Sequence, residues 1–386
     1  MLEPKIRINI FKDSLWELKT IVNFVLEIGT GKSEYIINDY SIKNSFPILG
    51  STSIIGFDNS FDYSGDFILT ARVGANAGEI YKYSGEAKIT DNTVYIKSNC
   101  LDYLYYSLLH YNLKRLSFGT GQPLIKTSEL KKIKIFFPSS IEQTAIGSLF
   151  RTLDDLLASY KENLANYQSL KATMLSKMFP KAGRTVPEIR LDGFEGEWVE
   201  KRLKDISKRV TRKNNDLVSE RALTISAQFG LIDQEEFFQK KIASKDVSGY
   251  YLIKKGEFAY NKSYSTGYPL GAIKRLDKYE NGVLSTLYIL FKAVDVDSDY
   301  LAHYYESDKW HREVSMCAAE GARNHGLLNI APADFLNTRL VVPKELEEQC
   351  AIGSYFSNLD NLINSHQEKI SQLETLKKKL LQDMFI

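Results

Sequence analysis

The chain contains one segment twice, and this duplication limits its possible folds more than any other feature. Residues 142–150 read EQTAIGSLF, and residues 348–356 read EQCAIGSYF. The match continues without a gap to Met178-Phe179 and Met384-Phe385, always 206 residues apart. Solenoid repeats recur roughly every 20–50 residues, so this longer separation indicates the duplication of a whole domain-sized unit.

Each copy of the segment is predicted to form one long amphipathic helix. Apolar and ambivalent residues recur at alternating steps of about four and three with no proline inside, which is typical of a coiled-coil seam. Ser139 and Glu142 have the spacing of a capping box. The predicted seam continues through Leu170 and Leu376 to Met174 and Leu380. Its main positions are Ile146, Phe150, Leu153, Leu157 and Leu164 in the first copy and Ile352, Phe356, Leu359, Ile363, Ile370 and Leu373 in the second.

A helix of this length needs a partner for its apolar stripe. The other copy is the expected partner, because an internal two-fold relation would pack the two helices antiparallel, seam against seam. Two separate coiled-coil dimerisation arms are the alternative. His366 and Tyr160 occupy equivalent seam positions and are predicted to pack with their polar tips at the surface.

Composition excludes several classes of protein. The N-terminus lacks the apolar core of a signal peptide, and no uncharged apolar run approaches membrane-spanning length, so a cytoplasmic protein without membrane contact is expected. Cys100, Cys317 and Cys350 are far apart and are predicted to be reduced and mostly buried. The five histidines show no metal-ligand spacing, so neither a metal nor a cofactor is predicted. The net charge of +2 neither supports nor excludes a polyanionic partner.

The repeat divides the chain into corresponding parts. The predicted fold class is α+β: two related globular domains of mixed helix and sheet, separated by two long helices that form an antiparallel coiled coil. Pro187-Glu-Ile-Arg190 corresponds to Pro4-Lys-Ile-Arg7, and Gly256-Glu-Phe to Gly65-Asp-Phe. The segment from Asp13 to Leu26 is predicted to be helical. The predicted boundaries are 1–138 for the first domain, 139–179 for the first long helix, 180–186 for a linker, 187–343 for the second domain and 344–386 for the second long helix.

These motifs resemble the specificity (S) subunits of type I restriction-modification systems. The resemblance covers essentially the whole chain. Its most specific parts are the duplicated E-Q-x-A-I-G-x-x-F-x-x-L-D start of the helix and the closing L-K-x-x-x-L-x-x-M-F. The Phe194-Glu-Gly-Glu-Trp198 entry to the second domain is also typical, whereas the entry from Phe11 to Trp16 is one residue longer and lacks the Gly-Glu-Trp.

The resemblance implies a function and a set of partners. Two target-recognition domains would each read one half of a split double-stranded DNA sequence, and the coiled coil would fix the gap between the half-sites. Two modification methyltransferase subunits would dock on this scaffold, and restriction/translocase subunits would join the larger complex. The S subunit itself would have no catalytic residues.

Two other motifs suggest catalytic functions, and both are incomplete. Gly29-Thr-Gly-Lys-Ser33 resembles the end of a phosphate-binding loop, but the first glycine of that pattern is replaced by Leu26. Phe118-Gly-Thr-Gly resembles a methyltransferase cofactor motif, but Thr120 interrupts it, and the motif that would hold a flipped adenine is absent from the sequence. An enzyme that combines recognition and modification is therefore disfavoured. A coiled-coil adaptor that binds protein and no DNA is the remaining alternative.

DNA readers need cations for phosphates and polar side chains for base edges. Each domain has polar, glycine-containing loops of this kind, and 323–325 occupies the loop equivalent to 119–123. The predicted DNA-binding residues of the first domain are Arg72, Asn76, Lys114, Arg115, Gln122, Lys126 and Thr127. Those of the second domain are Lys208, Arg209, Arg212, Lys213, Ser226, Gln228, Lys262, Tyr264, Arg323, Asn324 and His325.

Overall fold

The computed structural model describes residues 4–11, 15–117, 123–226, 230–240, 246–263, 267–318, 323–324 and 327–386. It divides into two compact units. Unit 1 comprises Met1–Glu162 and Gln367–Ile386, and unit 2 comprises Asn163–His366. Each unit therefore contains the beginning of one long helix and the end of the other.

Unit 1 is built around a six-stranded sheet with the strand order β2-β7-β5-β6-β3-β4, and β1 pairs separately with β8. Only the β3–β6 pair within the sheet is parallel. Helix α1 packs on the sheet through Tyr103, Leu104 and Tyr106. The strands are β1 (Glu17–Thr20), β2 (Glu27–Thr30), β3 (Phe46–Leu49), β4 (Ile54–Asp58), β5 (Tyr63–Ala71), β6 (Ile80–Ile89), β7 (Thr93–Lys97) and β8 (Lys134–Phe137), and the helices are α1 (Leu101–Tyr111), α2 (Thr127–Lys132) and α3 (Ser140–Lys177).

Unit 2 has a four-stranded sheet with the order β10-β17-β14-β15 and four additional strand pairs among the described residues. Its strands are β9 (Val199–Arg202), β10 (Ser207–Val210), β11 (Leu223–Ser226), β12 (Gly230–Asp233), β13 (Tyr251–Lys254), β14 (Glu257–Asn261), β15 (Ala272–Arg275), β16 (Asn281–Leu284), β17 (Ile289–Ala293), β18 (Arg323–Asn324), β19 (Leu327–Leu328) and β20 (Arg339–Val342). Its helices are α4 (Leu203–Ile206), α5 (Gln234–Phe238), α6 (Ser298–Tyr304), α7 (His311–Cys317), α8 (Pro332–Leu336) and α9 (Leu346–Asp383).

The two units share a topology. The order β2-β7-β5-β6 in unit 1 corresponds to β10-β17-β14-β15 in unit 2, and each sheet is followed by a helix, α1 or α6. The β1–β8 pair corresponds to β9–β20, and in both units the second strand of the pair leads into a long helix. The predicted duplication of mixed α+β domains is therefore confirmed. The two copies differ in β3 and β4, which extend the sheet of unit 1, and in the pairs β11–β12, β13–β16 and β18–β19 of unit 2.

The segment from Asp13 to Leu26 is not an amphipathic helix, and this prediction is wrong. Its described part contains strand β1 and a single 3-10 turn at Ile21–Asn23. Backbone pairing with β8 satisfies the segment's amides, and the β-branched run from Thr20 to Val22 disfavours a helix.

The two long helices pack antiparallel, as predicted. In unit 1, Lys161 Nζ lies 2.7 Å from Glu374 Oε1, and Lys377 pairs with Asp154. In unit 2, Lys171 Nζ lies 2.5 Å from Asp360 Oδ1, and the rings of Tyr167 and His366 are in edge contact. In each unit, increasing residue numbers in one helix meet decreasing numbers in the other. The alternative of two separate arms is therefore wrong.

The seam is buried along most of its predicted length. Four residues of α3 (Ile146, Phe150, Leu153 and Leu157) and three of α9 (Ile352, Phe356 and Leu359) are buried, while Leu164, Ile363, Ile370 and Leu373 are half-buried. The predicted continuation through Leu170 and Leu376 is wrong, because both side chains are exposed. The next residues, Lys171 and Lys377, lie in the seam instead and reach carboxylates of the opposite helix with their ammonium groups.

The start of each long helix is anchored by the same buried ion pair. Arg7 donates from Nε and Nη2 to the Glu142 carboxylate at 2.8 Å each, and Trp16 donates to the same carboxylate at 3.3 Å. In unit 2, Arg190 and Trp198 make the corresponding bonds to Glu348. The Glu142 backbone N–H donates to Ser139 Oγ as a capping box requires. Because the Glu142 carboxylate binds Arg7 and Trp16, its main role is this anchor.

The three cysteines carry free thiols, but their burial was predicted incorrectly. Cys100 and Cys317 are half-buried and Cys350 is exposed. Among the described residues, no helix is both long and apolar enough to cross a membrane.

Candidate nucleic-acid interface

Arg72 lies directly after β5, where the chain leaves the sheet of unit 1. Its carbonyl accepts the Ile125 N–H at 2.8 Å, and the Gly74 N–H donates to the Pro123 carbonyl at 3.0 Å. These bonds hold Arg72 beside Pro123 and Ile125, which follow residues 118–122 in the sequence. The Arg72 Nε is buried and has no hydrogen-bond partner among the described residues. The Arg72 residue as a whole is half-buried at this position.

Other predicted residues of unit 1 lie around Arg72. Asn76 is exposed on the turn that follows it. This turn packs closely on Lys114, because a Cβ on Gly78 would lie 2.6 Å from the Lys114 backbone nitrogen. Lys114 Nζ pairs with Glu79 at 2.9 Å, and the Arg115 guanidinium lies 4.9 Å from the centre of the Tyr111 ring. Lys126 is exposed and Thr127 is half-buried, and both follow Ile125, whose N–H donates to the Arg72 carbonyl.

Lys262 has the corresponding position in unit 2. It lies directly after β14, and its carbonyl accepts the Leu328 N–H at 3.0 Å, as the Arg72 carbonyl accepts that of Ile125. The Lys262 ammonium donates to the Ile330 carbonyl at 3.2 Å, and partial burial lowers the pKa of this lysine. The backbone of Arg323–Asn324 pairs with Leu327–Leu328 beside it. Both units therefore present a cation where the central strand meets a loop.

The most basic run of the sequence lies elsewhere in unit 2. Arg212 makes two hydrogen bonds to the buried carboxylate of Glu257, the first residue of β14. Lys262 follows the last residue of that strand, roughly 17 Å away at about 3.3 Å per residue. Lys213 donates to the Gly249 carbonyl and lies over the Tyr251 ring. Arg212 and Lys213 thus have structural contacts, which a basic sequence pattern does not reveal.

The remaining predicted residues fall into two groups. Lys208 and Arg209 are exposed on β10, whereas Ser226 is buried at the end of β11. Four predicted residues lie outside the described part of the chain, namely Gln122, Gln228, Tyr264 and His325. The side chains of Arg323 and Asn324 are also outside it.

The phosphate-loop resemblance at Gly29–Ser33 has a structural explanation. Residues 27–30 form strand β2, and the Lys32 N–H donates to the Ile89 carbonyl. A Cβ at Gly31 would lie 2.0 Å from that carbonyl oxygen, so this glycine permits close strand packing. The second discounted motif, Phe118–Gly121, lies outside the described residues.

Comparison with known proteins shows which proteins the chain resembles. A family model described as the type I restriction modification DNA specificity domain matches residues 17–166. The specificity subunit of the type I restriction enzyme MjaVIII from Methanocaldococcus jannaschii is 24% identical to this chain over 396 residues. The alignment covers 95% of this chain and 91% of that protein. The chain is thus similar, over nearly its whole length, to a specificity subunit of a type I restriction enzyme. The EcoprrI specificity subunit of Escherichia coli is 25% identical over 120 residues, 30% of each chain.

A solved specificity subunit has the same fold. The crystal structure of the S subunit of a type I restriction-modification system from M. genitalium superposes with a TM-score of 0.63, covering 100% of this chain and 99% of that one. The identity is 15%. At this identity the likeness concerns the fold alone.

Unit 2 also contains a charge cluster that sequence spacing does not predict. His303, Glu306 and Asp360 of unit 2 place potential metal-ligand atoms within 4.8 Å of one another. Lys171 Nζ already lies 2.7 Å from Glu306 and 2.5 Å from Asp360. Its ammonium group supplies the positive charge that a metal ion would bring. The cluster is therefore interpreted as a helix-to-domain contact.

The cluster predicts an acid-sensitive contribution to stability. Burial alone would raise the pKa of Glu306, but the hydrogen bond from His303 and the charges of Lys274 and Lys171 outweigh it and hold the pKa well below its ordinary range. A carboxylate whose pKa is lowered by folding stabilises the protein above its unfolded-state pKa of about 4.3, and this contribution is lost as the pH falls. We expect Glu306→Gln to lower the free energy of unfolding at pH 7 and to flatten its decline between about pH 5 and pH 3.

Urea unfolding at pH 7, 5 and 3 measures this effect. Glu280→Gln is the matched control, because that carboxylate has an 81% exposed side chain and only a surface pair with Lys255. Parallel pH profiles for wild type and Glu306→Gln would show that the cluster does not stabilise the fold.

Proposed function

We propose that the chain reads a bipartite double-stranded DNA site, one half with each unit, and serves as the scaffold of a type I restriction-modification complex. The main support is the equivalent placement of Arg72 and Lys262. Each follows the central strand of its sheet and accepts an N–H from the far side of a loop, but the loops differ in sequence. A shared position with different side chains fits a common mode of reading two different targets.

In this proposal the chain carries out no chemistry. Methylation and cleavage belong to partner methyltransferase and restriction/translocase subunits, which act on cytoplasmic DNA. The relatives are named as subunits of restriction enzymes, which supports this division.

Salt-dependent binding tests the proposal against the adaptor alternative. The chain, purified with its methyltransferase partner, should bind random duplexes, and the logarithm of the affinity should fall with that of the salt concentration by about 0.9 per phosphate contacted. Fluorescence anisotropy at 50 and 200 mM salt measures this slope. The methyltransferase alone is the control. A slope no steeper than that of the methyltransferase would favour the adaptor.

One flank of the paired helices suits the methyltransferase subunits. Leu156 and Leu376 in unit 1, and Leu362 and Leu170 in unit 2, are about 40% exposed, from 37% to 44%. The heptad register places each immediately before a seam position, which in an antiparallel pair puts the two leucines of each unit on one flank. The opposite flank carries ion pairs such as Lys161–Glu374. Because the leucines recur 206 residues apart, each unit offers the same apolar surface to one copy of a common partner.

Introducing negative charges at these leucines should remove one methyltransferase partner at a time. Leu156→Asp with Leu376→Asp should abolish binding of one methyltransferase and leave a complex with one specificity and one modification subunit. Leu170→Asp with Leu362→Asp should have the same effect through unit 2. Analytical ultracentrifugation measures the stoichiometry. The control is Glu162→Lys with Glu374→Lys on polar positions, and loss of both partners from either double variant would contradict independent docking.

A further inference from the structure

The helix that follows the sheet in unit 2 begins with an aspartate that makes three polar contacts. Asp297, the N-cap residue of α6, donates its backbone N–H to Gln349 Oε1 at 2.9 Å. Its Oδ1 accepts the Tyr300 N–H at 2.7 Å, and its Oδ2 lies 3.5 Å from Cys350 Sγ. One residue thus supplies a donor to the long helix and a carboxylate to a helix N-terminus.

Unit 1 keeps the partners of this aspartate but replaces the aspartate itself. The N-cap residue of α1 is Cys100, which gives no side-chain hydrogen bond to the helix. Its N–H donates to Ser98 Oγ at 3.3 Å. The repeat makes Gln143 the counterpart of Gln349 and Thr144 that of Cys350, and Tyr103 has the place of Tyr300. The site therefore lacks one carboxylate and one N–H donor.

The missing donor leaves a buried acceptor without a partner. Gln143 is 4% exposed. Its Nε2 donates to the Pro138 carbonyl, which fixes the orientation of the amide, but its Oε1 has no hydrogen-bond partner among the described residues. A buried polar atom left in this state costs about 1–3 kcal/mol. A ligand that supplies an N–H to Gln143 would recover part of that cost.

An open cleft gives access to this site. It has a volume of about 560 Å³ and is lined by Gln143, Thr144 and Tyr103. Lys82 and Arg151 also line it and pair with Asp102 at 2.6 and 3.4 Å, while Asp66 accepts from Ser84. The charges of the two cations and the two carboxylates cancel. The first amides of α1 have no partner within the helix, and this N-terminal end therefore makes the cleft favourable to an anion.

We infer that this cleft binds an aspartyl group, that is, a carboxylate joined through two carbons to an amide N–H. The N–H would donate to Gln143 Oε1, and the carboxylate would accept from the Tyr103 N–H, as Asp297 accepts from Tyr300 in unit 2. The Thr144 hydroxyl would also donate to the carboxylate after giving up its bond to the Ser140 carbonyl. The group comes either from a free N-acyl aspartate or from an aspartate of a protein partner.

Binding of a small probe tests the site. N-acetyl-L-aspartate methylamide should bind the full-length wild-type chain in a saturable way by ligand-observed NMR, and its neutral asparagine analogue should bind at least tenfold more weakly. Cys100→Asp restores the internal carboxylate, so it should weaken probe binding at least tenfold and raise the melting temperature. Arg151→Glu, at an exposed residue of the cleft, should weaken binding without unfolding the chain and keeps the test valid if Cys100→Asp misfolds.

Two further measurements distinguish the source of the group and exclude adventitious binding. If a partner supplies the aspartate, Cys100→Asp should weaken assembly with the methyltransferase about tenfold, and the probe should compete; if the ligand is free, assembly should be unchanged. Equal probe binding by wild type and Arg151→Glu would mean that the probe binds adventitiously. No binding by wild type would mean that the cleft holds only solvent. Either result would overturn the inference. No DNA is present, so this result is independent of the proposed reading of DNA.

Discussion

Replacing Arg72 with alanine should relax base preference in one half of the DNA target and leave the other half unchanged, and replacing Lys262 should do the converse. A good contact from a cationic side chain to a base edge contributes about 1–3 kcal/mol, so affinity for the preferred half-site should fall about 10- to 100-fold. Each residue lies in a different unit, so the two effects should not overlap.

Competition binding on duplex libraries with one half randomised measures these effects. Lys19→Ala and Lys255→Ala are matched controls, because both lysines are exposed and lie in surface pairs outside the candidate interface. The melting temperature of Arg72→Ala must also be compared, since the Arg72 Nε is buried. Equal loss of preference in both halves for either variant would contradict the division of reading between the units.

Replacing Glu348 with glutamine should lower the free energy of unfolding of unit 2 by about 3–5 kcal/mol. The change leaves Arg190, whose side chain is 16% exposed, without its counter-charge and weakens the hydrogen bond from Trp198. Glu142→Gln should have a similar effect on unit 1 through Arg7. Urea unfolding followed by tryptophan fluorescence reports this loss directly, because Trp16 and Trp198 contact the two carboxylates.

A double replacement separates the ion pair from general packing. Arg190→Met with Glu348→Leu removes both charges and retains apolar volume, so it should cost less than Glu348→Gln alone. Glu200→Gln is the surface control, since its pair with Arg339 is largely exposed. If the double replacement is as destabilising as the single one, the cost arises from packing and not from an isolated buried charge.

Much of the architecture can be predicted because its signals are periodic and repeated. The step of three and four residues predicts long helices, and the identical register of the two copies predicts that they pair. The correspondence of Pro4-Lys-Ile-Arg7 with Pro187-Glu-Ile-Arg190 marks both anchor arginines, although their partners are not apparent. The prediction of a helix at Asp13–Leu26 failed because pairing with β8, more than 100 residues later in the chain, overrides local amphipathicity.

The candidate interface was only partly predictable for a similar reason. Arg72, Asn76, Lys114 and Arg115 do lie together, but Arg212 has the same polar sequence context as a DNA-binding residue and instead binds Glu257, 45 residues away. Sequence spacing also gave no indication of the charge cluster around Lys171, whose members come from α3, α6, α9 and the turn after α6.

The sequence by itself determined the duplication, the two long helices, their antiparallel pairing and the resemblance to specificity subunits. These features depend on patterns that repeat along the chain, so one chain is enough to detect them. Only the tertiary structure decided which charges are buried in ion pairs, that Lys171 and Lys377 continue the seam, and that Cys100 stands where unit 2 has Asp297. Those features depend on contacts between residues far apart in sequence, which are set by the path of the backbone and not by any local pattern.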